Sequence, residues 1–356
     1  MTETHITIIE ESDLQRWNTC LQSFPTNLFI RPDWLECFRK PKLTPIYFRF
    51  VSEGATVGLA AGLSVEPPYR ILKPLYRTIF FFSGPTYLRS QDFSRACLEK
   101  LTDYARINRY SHLHFGSWDY PYPLDFRGLS FHRITREEYI IDLRGTQSDV
   151  SKKINRMIRR KIKKAREQGL TVHESCSPEW AETLISLLEE TRKVRLSKGY
   201  KDYSYFYIPY FDSDVIRKLL KNKIAKIFYV KQGDEILCAQ LIITAGTRAY
   251  PLLVGSKPKG YELGAYALIL SEQIERFNIE GVESLNLGGM AGDSSVSGLA
   301  FFKNSFGAEK YLCSGGRTSH LQGKFLNFLT DIYTQFPDTQ FKKKIDRLIR
   351  GSGVQK

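Results

Sequence analysis

The feature that most constrains this chain is an internal repeat. Two strand-like runs, Ile46 to Val51 and Val57 to Val65, meet at Glu53-Gly54; far downstream, Ile227 to Val230 and Ile236 to Thr244 meet at Gln232-Gly233-Asp234. Apolar runs around a glycine-bearing turn predict a β-hairpin in each place. A third run follows each hairpin, Ile79 to Gly84 in one copy and Tyr250 to Gly255 in the other. Each copy then shows a helical stripe: Phe93, Cys97, Leu98, Leu101, Tyr104 and Ala105 against Ala265, Leu268, Ile269, Ile274 and Phe277. A fourth strand closes each unit, His112 to Gly116 and Ser284 to Gly288. Equivalent glycines lie 179, 171 and 172 positions apart (Gly54 and Gly233, Gly84 and Gly255, Gly116 and Gly288). The order and the spacing together predict two copies of one β-hairpin, β, α, β unit. The fold class is α/β (α+β), with mixed sheets flanked by helices.

The 356 residues suit this division, at roughly 150 residues per domain. The expected boundaries are a first domain over 1–147, a basic linking helix over 148–169, a second domain over 170–320 and a basic C-terminal helix or tail over 321–356. In the linking helix Ile154, Met157, Ile158, Ile162 and Ala165 form the apolar stripe and Gly169 supplies the stop. A second helix spans Glu179 to Leu196, and the stretch Tyr200 to Phe211 is dense in aromatics, Tyr203, Tyr205 and Tyr207 among them. That stretch is either a packed loop over the core or a wall lining a substrate.

The formal charge of +14 is concentrated. Ser151 to Gln168 holds nine basic residues and one acid, and Phe341 to Lys356 holds six basic residues and one acid, so the remainder is nearly neutral. Charge placed this way reads as a docking surface for a polyanion, against the plainer alternative of a solvated helix face. The tail, with Phe341, Ile345, Leu348 and Ile349 among its lysines and arginines, suits either an anionic membrane surface or simple packing on the body. No run approaches 18 apolar residues and the N-terminus lacks a signal pattern, which together predict a cytoplasmic protein, at most peripheral on the inner face of the membrane. The six cysteines stand singly, without a CxxC pair. His112 and His114 share a strand face but have no third ligand nearby, so no metal is expected. GxSxG, HExxH and Walker motifs are absent from the sequence.

The segment Leu285-Asn286-Leu287-Gly288-Gly289, followed by Gly298-Leu299-Ala300-Phe301-Phe302-Lys303-Asn304-Ser305-Phe306-Gly307, resembles the closing motif of the Fem-type peptidyltransferases and their FemAB-like acyltransferase relatives. The basic helix around Arg156 to Gly169 and the segment Phe29, Trp34, Phe38 are also similar to that group, so the resemblance covers most of residues 25–312. It implies a tandem acetyltransferase-like (GNAT) fold and acyl transfer between two bound substrates. In the Fem-type enzymes an amino acid passes from aminoacyl-tRNA to an amine of a peptidoglycan precursor; relatives use acyl-CoA on other amines, a sugar amine of envelope or exopolysaccharide biosynthesis being one candidate. A catalytically dead tandem domain that binds RNA is a third possibility. This chain departs from the Fem pattern in carrying Asn286 where Asp is usual, and in leaving no room between Ser148 and Leu196 for a long helical hairpin.

Acyl transfer needs a carbonyl beside an amine and a positive charge or aligned donors at the developing oxyanion. The resemblance puts Lys303 there, with Phe302, Gly288 and Gly289 at the donor; the alternative for Lys303 is a lysine snorkelling at a helix start. Asp119, in Gly116-Ser117-Trp118-Asp119, is the candidate base, with Asp293 as alternative and loop capping as the plainer role of both. Arg159, Arg160 and Lys163 would hold a tRNA donor through its phosphates. Lys257 and Lys259 lie where a CoA-binding protein opens its pyrophosphate turn, but Glu262 opposes phosphate there. Arg31 and Lys40, flanking Trp34, would hold the acceptor's diphosphate, with Tyr205 and Tyr207 beside the acceptor. No cofactor beyond the donor is expected, and the partners are aminoacyl-tRNA and an amine-bearing envelope precursor.

Overall fold

The computed structural model describes residues 6–25, 27–67, 69, 73–87, 94–119, 124–200, 202, 204–289 and 296–322. Phe93, Tyr203, Asp293 and the basic tail from 323 onward lie outside the described residues. The described residues divide into two compact units: those up to Arg136 with Leu312 to Gln322 form unit 1, and those from Glu137 to Tyr311 form unit 2.

Unit 1 opens with β1 (Thr7–Glu10), α1 (Leu14–Leu21) and α2 (Pro32–Leu35). Asp13 caps α1 by accepting from the backbone N–H groups of Gln15 and Arg16. The first repeat follows as the hairpin β2 (Leu43–Ser52) and β3 (Ala55–Val65), then α3 (Lys73–Tyr76), β4 (Thr78–Phe81), β5 (Thr86–Tyr87), α4 (Ser94–Ile107) and β6 (His112–Phe115). β7 (Phe131–Asp142) carries the chain into unit 2, where α5 (Gln147–Lys152), α6 (Arg156–Glu167), β8 (Leu170–Ser175), α7 (Trp180–Ser197) and α8 (Ser213–Lys221) precede the second repeat. That repeat is the hairpin β9 (Ala225–Gln232) and β10 (Glu235–Ala245), then β11 (Arg248–Ser256), α9 (Pro258–Leu263), α10 (Ala265–Ile279) and β12 (Ser284–Gly289). After α11 (Val296–Asn304), β13 (Glu309–Thr318) returns the chain to unit 1.

Both units are built on one plan. In unit 1 the strands run β1-β2-β3-β4-β6-β13, antiparallel except for the β4–β6 pair, and β5 adds to β3. In unit 2 they run β8-β9-β10-β11-β12-β7, antiparallel except for the β11–β12 pair. Each sheet packs its own apolar core. Phe48, Phe50, Phe81 and Phe115 lie against Leu98 and Leu101 of α4 in unit 1. In unit 2, Val230, Leu237 and Leu285 lie against Leu268, Ile269 and Ile274 of α10.

Three details differ from the sequence-based expectations. The unit boundaries fall at 136/137 and 311/312 rather than 147/148 and 320/321. The reason is strand pairing: β7 is already in register with β12 at Glu138, and β13 pairs with β6 at Gly316 and Arg317. The basic linker is not one helix but two, α5 and α6, because Asn155 interrupts it: its side chain accepts from the Met157 N–H at 2.8 Å and caps α6. Of its expected apolar stripe, Ile154, Ile158, Ile162 and Ala165 are buried in the unit 2 core, while Met157 is 52% exposed. No helix among the described residues is long and apolar enough to cross a membrane.

Candidate functional site

The site starts with a strand pair that parts. β11 and β12 run parallel and meet only at Arg248 with Ser284 and Ala249 with Leu285. On its other side β12 pairs with β7 from Ser284 onward, and that register slips between Asn286, opposite Ile140, and Gly289, opposite Glu138. The slip is a β-bulge at the Leu287-Gly288 step, and Gly288 takes φ +70°, a left-handed conformation that side chains other than glycine rarely adopt. Two strands that separate within a sheet leave an edge to which an extended ligand can add.

The bulge is fixed by side chains. Asn286 accepts from the Gly288 N–H through Oδ1 at 2.8 Å and donates through Nδ2 to Glu138 Oε2 at 2.9 Å. Lys303, near the end of α11, donates through Nζ to the carbonyls of Gly288 at 2.8 Å and Gly289 at 2.7 Å. Its ammonium also lies 5.2 Å from the centre of the Tyr139 ring, a cation–π contact, and the residue is 5% exposed. Lys303 is therefore not a lysine trailing into solvent; it is a buried cation tied to the end of β12. Phe302 beside it stacks on Tyr266 at 5.4 Å and meets Phe306 edge-on at 5.2 Å, which fixes α11 against α10. Among the residues expected at the donor, Lys303, Gly288 and Gly289 are in direct contact, and Phe302 supports them.

The lysines of the turn after β11 reach solvent but share one acidic partner. Lys257 and Lys259 both pair with Glu235, at 3.0 and 3.1 Å. Gly264, φ +76°, separates the short α9 from α10, and the Lys161 side chain lies across it, with Cε 2.8 Å from where a Cβ would stand. A turn meant to cradle phosphates with backbone N–H groups needs an open approach; here the Lys161 stem from α6 packs over Gly264.

The outer face of α6 is strongly basic. Arg159 and Arg160 are exposed, and no acidic partner is found for either among the described residues. Lys163 makes a single exposed contact with Glu167 at 3.7 Å, while Arg166 is turned to Glu272 and Glu275 of α10. The three arginines and lysines expected to meet phosphate are thus on one accessible helix.

The remaining expectations fall elsewhere. Asp119 lies in unit 1, in the turn after β6, and is 3% exposed. Both Ser117 (φ 53°) and Asp119 (φ 49°) take left-handed conformations without being glycine. Two such residues in three mark a strained turn, of the kind that gathers at working sites. The Asp119 carbonyl accepts from Asn27 Nδ2 at 3.2 Å, and Trp118 lies under the Arg136 guanidinium at 4.0 Å. Arg31 is paired with Asp33 at 3.1 Å, and Lys40 pairs its backbone with Leu43. Tyr207 is half exposed and donates its hydroxyl to the Leu252 carbonyl of β11, so it stands at the strand that parts from β12. Tyr205 packs edge-on against Phe206 at 4.8 Å.

Sequence reasoning missed the polar residues buried around this strand pair. Gln240 and Gln273 are 0% exposed; Gln273 donates to Gln240 at 2.7 Å, and Gln240 to the Tyr266 hydroxyl at 3.1 Å. Burial pushes the Tyr266 phenol well above its ordinary value, so it stays protonated at any physiological pH. A glutamine inside the apolar run Leu237 to Ile243 was a usable signal, since a buried amide must be satisfied. Glu138 and Tyr139 were missed too.

Comparison with known proteins fits this geometry. Residues 152–304 match the family described as acetyltransferase (GNAT) domain. No curated protein matches the chain. Among solved structures, the crystal structure of FemX superposes with TM-score 0.66 at 15% identity, over 87% of this chain and 96% of that one. The structure of L-PGS from Bacillus licheniformis gives TM-score 0.52 at 16% identity, over 97% and 99% of the two chains. A tandem GNAT protein from the clavulanic acid biosynthesis pathway gives 0.52 at 12% identity, over 90% and 100%. At such identities the likeness is one of fold.

Proposed function

We propose that this chain, which matches an acetyltransferase (GNAT) domain over residues 152–304 and is similar in fold to FemX, is an acyltransferase that moves an aminoacyl group from aminoacyl-tRNA to an amine of a peptidoglycan-type envelope precursor. The observation that carries this reading is α6: an accessible basic face lies in the same unit as the parted strands, and its Lys161 stem packs over Gly264 in the turn where a CoA pyrophosphate would sit. Arg159, Arg160 and Lys163 would meet RNA phosphates, giving binding that is salt-dependent and largely blind to sequence.

The chemistry then follows from charge. The amine nitrogen attacks the ester carbonyl, a C–N bond forms, and the carbonyl electrons move to oxygen. The Lys303 ammonium stabilises that oxyanion. When the intermediate collapses, the ester C–O bond breaks, the acyl group leaves as an amide, and the ribose oxygen takes a proton. The attacking amine's proton is relayed through the substrate to that ribose oxygen.

The acetyltransferase family match favours a second reading, an acyl-CoA-dependent N-acyltransferase on a sugar amine or other small amine. One paired experiment separates the two: filter binding of bulk aminoacyl-tRNA across a salt series, with a thermal-shift screen against CoA and acyl-CoAs. The tRNA reading expects log-linear salt dependence, flattened by about three in slope when Arg159, Arg160 and Lys163 are all changed to Glu. Binding and transfer that survive this reversal at moderate salt would remove it. CoA at roughly 100 times Kd should stabilise the protein by about 2.7 kcal/mol if CoA is the donor. RNA binding with no turnover from any donor, unaffected by Lys303→Ala, would point to a non-catalytic RNA-binding protein.

A further inference from the structure

Glu138 and Lys303 are the two buried charged side chains among the described residues of unit 2. A buried charge is tolerated only when it is paired or fully hydrogen-bonded. These two are joined by a chain of short contacts. Glu138 Oε2 accepts from Asn286 Nδ2 at 2.9 Å, Asn286 Oδ1 accepts from the Gly288 N–H at 2.8 Å, and the Gly288 carbonyl accepts from Lys303 Nζ at 2.8 Å. The chain closes a second way, since Glu138 stands opposite Gly289 in register and the Gly289 carbonyl also holds Lys303, at 2.7 Å.

We infer that Glu138 is the positioning residue for Lys303: its carboxylate is the buried counter-charge in the same unit, and through the Asn286 amide it holds the bulge whose carbonyls aim the ammonium. The carboxylate sits on β7, and Asn286 on β12 is the neutral bridge to it. The purpose assigned to Lys303 rests on the acyl-transfer reading; the test below does not.

Lys303 ionisation is read by competitive acetylation with acetic anhydride across a pH series, following the Lys303 peptide by mass spectrometry. Wild-type protein should show late labelling. Glu138→Gln should bring the onset down by about one pH unit or more, equivalent to about tenfold faster labelling at fixed pH. Asn286→Asp on the Glu138→Gln background moves the carboxylate one strand over and should restore the profile, while Asn286→Ala, which keeps both charges but cuts the bridge, should label faster than wild type. A profile unmoved by Glu138→Gln, or a double variant no better than the single, overturns the inference. If Glu138→Gln does not fold, recovery of both the melt and the profile in the double variant supports it, and failure of both overturns it. Loss of salt-sensitive tRNA binding would sink the donor reading and leave this profile untouched.

Discussion

The two units share a strand plan and treat its parallel pair in opposite ways. In unit 1, β4 and β6 stay in register over four residue pairs, Thr78 to Phe81 against His112 to Phe115. Backbone bonds continue past them, from Gly116 N–H to the Phe81 carbonyl and from Trp118 N–H to the Phe82 carbonyl. Phe81 stacks on Phe115 at 4.7 Å with nearly parallel rings, so the pair is sealed by apolar packing. In unit 2 the equivalent pair holds for two residue pairs and then parts at a bulge lined by Asn286, Glu138 and Lys303. One scaffold thus appears once as a closed ladder and once as an opened one, and the opened copy places a buried glutamate and a buried lysine at the break. Such local departures from the stable solution are expected where function resides.

The contrast can be broken from either side. The largest effect should come from the sealed copy. Phe81→Ala removes a fully buried ring and should destabilise the protein by about 3–5 kcal/mol in chemical denaturation, while leaving the Lys303 labelling profile unchanged. Should Phe81→Ala shift Lys303 and spare stability, the division of labour drawn here is wrong.

In the opened copy, Lys303→Ala should lower the transfer rate about 10²–10³-fold, the scale of losing one oxyanion-stabilising group. Lys303→Arg keeps the charge but not the point geometry, and should recover only part of the rate. Single-turnover kinetics with the donor identified by the binding assays checks this, and a variant at wild-type rate would return Lys303 to a purely structural role.

The smallest effect concerns pH, and belongs to unit 1. Burial and the nearby Arg317 push His112 down to about 3 and His114 to about 4, from an ordinary 6.5. Between those values the unfolded chain binds protons that the folded chain refuses, so stability rises with pH across that window and is fully present above about 6.5. Taking the protein from pH 7 to pH 4.5 should cost about 2–3 kcal/mol through His112 alone, at about 1.4 kcal/mol per unit. His112→Gln should flatten that slope in urea titrations at the two pH values. A slope that His112→Gln leaves unchanged would place the acid sensitivity elsewhere.

Much of the fold could be read directly. Glycine-marked turns and apolar runs located all four strands of each repeat, because those signals are local. Lys303, Gly288 and Gly289 came from the resemblance. Other features escaped for distinct reasons. The break at Asn155 carried its own signal, an Asn just before a helical turn, which the long basic pattern masked. Glu138 carried none: its partner Asn286 is 148 positions away, and only the pairing of β7 with β12 brings them together. Arg31 was read by position beside Trp34, whereas its geometry is set by Asp33 two residues on.

The route of the chain has a consequence for synthesis. Unit 1 ends its first stretch at Arg136 but takes its last strand from β13, after the whole of unit 2. On a ribosome adding about 5–20 residues per second, the N-terminal sheet must wait on the order of ten seconds or more, its β6 edge uncovered, until that strand emerges. The later-born unit is therefore the first able to complete its sheet, and a cell making this protein must shelter an unfinished one in the meantime.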